Sequence, residues 1–175
     1  QQDRSLPRMA AAEDLGCQGW SEPNAGSDLA GITSKAVRDE AAGGWRLTGQ
    51  KTWTTRGAFS THMFGLFRTD PQQERHRGLT YFMVPLDAEG ITVRGYTRLD
   101  GDEGCAEVFL EDAFVDDAWV LGEVHAGWSV AMSTTSSERG LTLRSPGRFM
   151  ATAVRLVAWA RERQDLDPVL ADRVL

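Results

Sequence analysis

Thr33-Ser34-Lys35-Ala36-Val37-Arg38-Asp39-Glu40-Ala41-Ala42-Gly43-Gly44-Trp45-Arg46-Leu47-Thr48 is the stretch that decides the fold. Apolar and polar residues alternate on both sides of Gly43-Gly44, the pattern of a hairpin whose turn needs backbone that glycine adopts readily. The same vocabulary continues outward. Residues 51–56 and 61–68 read as aromatic-rich strands around Gly57-Ala58-Phe59-Ser60, and 79–86, 91–98 and 105–111 follow, each bounded by glycine or aspartate clusters. About seven strands spaced roughly ten residues apart, with no crossover helices between them, predict a β-sandwich or barrel rather than a βαβ sheet. Residues 69–77, with Asp70-Pro71-Gln72-Gln73-Glu74 inside them, carry no apolar pattern and read as a surface loop.

Beyond Gly127 the period changes. Residues 128–139 predict one helix, and Ser145-Pro146 interrupts or kinks it because proline lacks a backbone donor and clashes with the preceding turn. Phe149, Met150, Ala153, Val154 and Val157 then recur as one apolar helical stripe, the pattern of bundle core, although the chain offers that stripe few partners. A last short helix is expected at Asp167-Pro168, with aspartate as cap and proline in the first turn.

A net charge of −6 across 175 residues, with no local basic run, excludes an electrostatic nucleic-acid binder. Cys17 and Cys105 have no second cysteine or histidine at ligand spacing, and His62, His76 and His125 are scattered, so no metal is expected and the thiols read as reduced and buried. There is no 18-residue apolar stretch, and Gln1-Gln2-Asp3-Arg4 is too polar for a signal peptide. The expectation is a soluble, cytoplasmic protein with no membrane insertion.

Two further segments carry chemistry. Trp20-Ser21-Glu22-Pro23-Asn24-Ala25-Gly26-Ser27-Asp28 contains a turn in which glycine lets backbone approach a ligand, N–H groups receive an anion such as pyrophosphate, and a short hydroxyl completes the contact. Some 25 residues later, Trp53-Thr54-Thr55 sets a flat apolar surface beside hydroxyl and amide donors, which suits isoalloxazine. Each alone is ordinary turn or strand composition, and tryptophan is commonly core. Together they point to a flavin. No GxGxxG opens a helix, so the flavin is not held in Rossmann fashion.

The first of these segments, then Gly49-Gln50-Lys51-Thr52-Trp53-Thr54-Thr55, Gly78-Leu79-Thr80-Tyr81-Phe82-Met83-Val84, Val108-Phe109-Leu110-Glu111-Asp112, Leu121-Gly122-Glu123 and Ser137-Glu138-Arg139, resemble the acyl-CoA dehydrogenase family over residues 15–163. The resemblance implies a mainly β fold with C-terminal helices: a small β-barrel or sandwich of the family's middle-domain type, followed by part of a helical bundle. It divides the chain into a lead or remnant of an N-terminal helical domain at 1–14, the middle β-domain at 15–124, and the start of the C-terminal helical domain at 125–175. On this reading the chain is a fragment, about half of a complete member. The expected reaction is FAD-dependent α,β-dehydrogenation of an acyl-CoA thioester to the trans-2-enoyl-CoA.

What the resemblance implies for individual residues is as follows. Trp20 and Ser21 run along the flavin ring, Gly26 and Ser27 form the turn near the pyrophosphate with Ser27 also on the CoA side, and Trp53, Thr54 and Thr55 pack on the isoalloxazine and donate near N5. Glu138 is the candidate base, since a minority of the family place a glutamate there immediately before an arginine, and Arg139 lies near the acyl-CoA. Asn24 stands where glycine is usual, and Arg56 where asparagine or serine is common. Implied partners are an acyl-CoA substrate, an electron-transfer protein as acceptor, and further copies in a homo-oligomer when full length. The family holds the adenosine end of FAD partly from a neighbouring subunit, so these 175 residues alone are expected to bind flavin weakly or not at all. A flavin oxidase or monooxygenase of the same fold, and a non-catalytic binding or scaffold module, stand as alternatives.

Overall fold

The computed structural model describes residues 2–143, 146–163 and 167–174, with side chains for these less 2–4, 138–143, 146, 148, 171 and 174. In chain order the elements are α1 (Gln2–Ala10), β1 (Gly16–Gly19), β2 (Lys35–Asp39), β3 (Gly44–Thr55), β4 (His62–Arg68), β5 (Leu79–Pro85), β6 (Ile91–Tyr96), β7 (Cys105–Asp116), β8 (Val120–Leu121), α2 (Gly127–Leu143), α3 (Pro146–Arg161) and α4 (Pro168–Val174). Two compact units contain them, one running to Met132 and the other from Ser133.

In the first unit the strands follow the order β6-β7-β3-β2-β4-β5-β8, with β1 parallel to β4. The expected barrel is corrected here: the sheet does not close, because among the described residues β6 pairs only with β7 and β8 only with β5. The sandwich half of the expectation holds. Only the bridge Lys35↔Arg68 joins β2 to β4, so the path divides into two faces. Trp45, Leu47, Val108, Leu110 and Val115 of β3 and β7 pack with Met63, Phe67, Phe82 and Val84 of β4 and β5 in one buried cluster. Trp45 meets Phe82 edge to face at 5.8 Å, although their strands are not neighbours. Apolar burial between these faces is the main stabilising contribution, roughly 25 cal/mol per Å² removed from water.

The hairpin at Gly43-Gly44 forms as expected, with Ala36↔Leu47 and Asp39↔Gly44 in register and Gly43 at φ 70°. Gly49 does not end a strand. It sits inside the continuous β3 at φ 152°, where the register with β7 slips between Leu47 and Gly49, and a Cβ there would lie 2.7 Å from the Ser34 Cα. Gly49 is therefore a bulge, which bends the strand without breaking it. β1 and β8, only 4 and 2 residues long, went unread in the sequence.

In the second unit, α3 begins at Pro146, whose missing N–H costs nothing in a first turn. Its stripe faces solvent at Phe149, Met150 and Val154. Asp167 caps α4, accepting from the Val169 and Leu170 N–H groups at 3.0 and 3.2 Å. Among the described residues no helix is long and apolar enough to cross a membrane.

Candidate functional site

The fold brings the two motif segments side by side. The Thr52 N–H donates to the Ser21 carbonyl at 2.9 Å, and the Lys51 Nζ donates to Glu22 Oε1 at 2.8 Å and to the Leu66 carbonyl at 2.8 Å. Lys51 is fully buried and lies 4.7 Å above the Phe67 ring. The Glu22 carboxylate also accepts from the Thr33 N–H at 2.6 Å, the Thr33 hydroxyl at 3.0 Å and the Ser34 N–H at 3.0 Å. One buried ion pair thus joins the motif turn, the entry to β2 and the middle of β3. Neither Glu22 nor Lys51 was singled out in the sequence. A signal existed: 17 of the 19 basic residues are arginine, and a lysine kept at 51 marks a place for a compact ammonium rather than a planar fork.

Burial pushes the Glu22 pKa up, but the Lys51 charge and hydrogen bond and the Thr33 and Ser34 donors outweigh it, and the net shift is downward. Burial also pulls Lys51 down, against the attraction of Glu22. These two directions disagree about the proton in isolation. The geometry decides for the ion pair, because the ammonium donates to both a carboxylate and a carbonyl and the carboxylate accepts four bonds. A depressed carboxylate pKa contributes stability that is complete above the unfolded value of about 4.3 and is lost as pH falls through the lower folded value. The urea midpoint is accordingly expected to fall between pH 5 and pH 3 (on the order of the unfolded carboxylate range), and to fall less in Glu22→Gln. Equal acid sensitivity in both proteins would contradict this role.

Trp53 faces solvent because of a second bulge. The register with β7 slips between Lys51 and Thr54, and Trp53 takes φ 55°, so the extra residue turns the indole outward instead of placing it on the buried side with Lys51. The indole is 68% exposed and is held edge-on by Tyr96, 5.8 Å away at 84°. Thr55 is exposed next to it. The same bulge turns Thr54 inward: it is completely buried, with its Cγ2 3.1 Å from the position a Cβ would take at Gly57, and its Oγ1 has no hydrogen-bond partner among the described residues.

The first segment is equally defined. Trp20 donates its Nε1–H to the Tyr81 hydroxyl at 3.0 Å and packs on a second core cluster containing Ile32, Leu66, Leu79, Tyr81 and Ala131. Ser21 is half-buried with its carbonyl engaged by Thr52. Pro23 and Asn24 make the corner of a tight turn closed by Glu22 N–H to Ala25 O at 2.8 Å and Ala25 N–H to Glu22 O at 3.1 Å. Gly26 and Ser27 are exposed, and nothing lies within 4 Å of a Cβ built at Gly26. Arg56 is left-handed at φ 62°, exposed, and pinned by its N–H to the Gly104 carbonyl at 2.9 Å. Glu138 and Arg139 fall in α2, and their side chains lie outside the described residues.

These positions fit a flavin in donor type and access. An exposed indole braced at a bulge is a platform that folding alone does not require, and the open Gly26-Ser27 backbone leaves room for an anion. Cys17 and Cys105 are unpaired. Burial pushes the Cys17 thiol up to about 11, which makes it an inert core group.

An open β-sandwich with an exposed aromatic platform and a glycine-serine turn, followed by helices, is the architecture of one flavoprotein class. The family model of the acyl-CoA dehydrogenase middle domain matches residues 17–113, and the chain belongs to the acyl-CoA dehydrogenase family. It is 39% identical to the acyl-CoA dehydrogenase IpdE1 of Mycolicibacterium smegmatis over 100% of this chain and 47% of that protein. Among solved structures it resembles the Tcur3481-Tcur3483 steroid ACAD, with a TM-score of 0.87 and 29% identity over 99% of this chain and 45% of that one. It also resembles the ChsE4-ChsE5 complex of Mycobacterium tuberculosis, with a TM-score of 0.77 and 30% identity over 94% of this chain and 42% of that one. The chain spans a little under half the length of these relatives, of which IpdE1 is by name an oxidoreductase.

Proposed function

We propose that residues 15–124 are the flavin-binding middle domain of an acyl-CoA dehydrogenase, with 1–14 as its lead and 125–175 as the start of a helical domain. The whole protein, on this reading, is cytoplasmic and converts an acyl-CoA to the trans-2-enoyl-CoA. The observation that carries the proposal is the outward indole of Trp53, 68% exposed and braced by Tyr96 at a strained bulge beside Thr55. Bound FAD supplies the acceptor for the β-hydride. Trp53 and Thr55 support the ring system, Trp20 and Ser21 border it through backbone and hydroxyl, and Gly26 and Ser27 offer N–H groups to the pyrophosphate. Thr54 stands between them, and its buried Oγ1, without a hydrogen-bond partner among the described residues, is the donor proposed near N5. Ser27 also faces the CoA side, Glu138 takes the α-proton and Arg139 lies near the thioester.

The names of the structural relatives support two finer points. A steroid-derived acyl-CoA is the first substrate to test, and assembly with a second chain of the family or with further copies of this one accompanies activity. An electron-transfer protein is the proposed acceptor. Calorimetry with FAD and with an acyl-CoA tests the reading: heats of binding for both are expected, weak for FAD. Binding of neither would favour the scaffold alternative. In deuterated buffer the bound thioester is expected to exchange its α-proton and Glu138→Gln to stop it, whereas retained exchange would move the base elsewhere.

A further inference from the structure

The loop 69–77, featureless in sequence, is held by a set of hydrogen bonds to its own carbonyls. Its hub is Arg68 at the end of β4. The guanidinium donates through Nη1 to the Gln73 and Arg77 carbonyls, each at 3.0 Å, and through Nη2 to the Arg75 carbonyl at 2.8 Å and the Ala30 carbonyl at 3.3 Å. The Thr69 and Asp70 N–H groups close the loop on the Gly78 carbonyl at 2.9 and 3.1 Å. Ala30 belongs to the short 3₁₀ turn that follows Asp28, so Arg68 fastens the loop to the turn immediately after the motif segment. Arg75 fastens it a second time, donating to Asp28 Oδ1 at 2.6 Å.

The second tie bears on charge. Asp28 follows Ser27 immediately, and both carboxylate and guanidinium are 61% exposed. An anion arriving at the Gly26 and Ser27 N–H groups would bind one to two residues from the Asp28 charge, close enough in sequence for that charge to act within a Debye length of about 8 Å at physiological salt. Arg75 pairs with that charge in the open, through its Nη2. An exposed ion pair adds little to folding stability, about 0–1 kcal/mol. Its value lies in what it does to the neighbouring turn.

We propose that Arg75, held in place by Arg68, is a positioning residue that neutralises Asp28 and so makes the Gly26-Ser27 turn receptive to a phosphate-bearing ligand. This rests on the reading of that turn as the pyrophosphate site. The test is a titration of the 175-residue chain with FAD, followed by the amide resonances of Gly26 and Ser27. Arg75→Ala is expected to weaken the response about fivefold, the scale of a surface charge pair, with the urea midpoint unchanged. Asp28→Asn in the same chain restores most of the affinity, and the Arg75→Ala loss shrinks in high salt as the unmasked charge is screened. Arg68→Lys weakens binding similarly, because an ammonium cannot span four carbonyls as a planar fork does. Wild-type affinity in Arg75→Ala, or a loss that neither Asp28→Asn nor salt relieves, would overturn the proposal while leaving the flavin reading intact. Gly26 and Ser27 amides that ignore FAD in the wild-type chain would overturn both.

Discussion

Lys51→Met is expected to remove about 3–5 kcal/mol of folding stability, the cost of leaving a buried charge without its partner. The Glu22 carboxylate would stay enclosed with three donors from Thr33 and Ser34 but no counter-charge. The Leu66 carbonyl would lose its donor as well. The attraction within a buried pair is not what makes this loss large, since desolvation of both ions offsets most of it. The loss comes from the unmatched survivor. Combining Lys51→Met with Glu22→Gln is therefore expected to recover a substantial part, because the amide still accepts from Thr33 and Ser34 without a buried charge. Urea denaturation of the two single variants and the double variant measures this. Additive losses would mean that the pair does not act as a unit.

Trp53→Ala is expected to weaken FAD binding by on the order of tenfold, the lower range of roughly 1–3 kcal/mol for stacking a flat heterocycle on an aromatic side chain. Stability should change little, by about 0.5 kcal/mol, because the indole is 68% exposed and the left-handed backbone is kept. The contrast separates a ligand platform from a core residue. Trp45, 6% exposed and packed on Phe82, shows the opposite profile, and truncating it would cost about 3–5 kcal/mol of folding stability. Calorimetry of the Trp53 variant with FAD decides between the two. A destabilised protein with unchanged FAD affinity would place Trp53 among the structural residues.

Much of this was legible in the sequence because alternation is a local signal. The strands β2, β6 and β7 follow the apolar-polar period, β4 and β5 read as short apolar, aromatic-rich runs between turn residues, and Asp167-Pro168 reads directly as a helix start. What was not legible depends on register between distant strands. The hairpin pattern runs to Thr48 and a separate strand is read from 51, yet the two are one strand with a bulge at Gly49, set by the close approach of Ser34 15 positions earlier. Thr54 reads as a neighbour of Trp53 and Thr55, yet a one-residue slip against β7 sends it inward. Closure of a barrel cannot be inferred from strand count, since it turns on whether β6 reaches β8. Glu22 and Lys51, 29 positions apart, become partners only once β3 passes under the motif turn.

The central claim is that Trp53 and the Gly26-Ser27 turn belong to one flavin-binding face. A single titration of the isotopically labelled chain with FAD, observing the indole N–H of each tryptophan together with the backbone amides, tests it most directly. The Trp53 indole and the Gly26, Ser27 and Thr55 amides are expected to shift along one saturation curve, while the Trp45 indole stays fixed. Shifts confined to other surfaces, or separate curves for Trp53 and Ser27, would contradict a shared site.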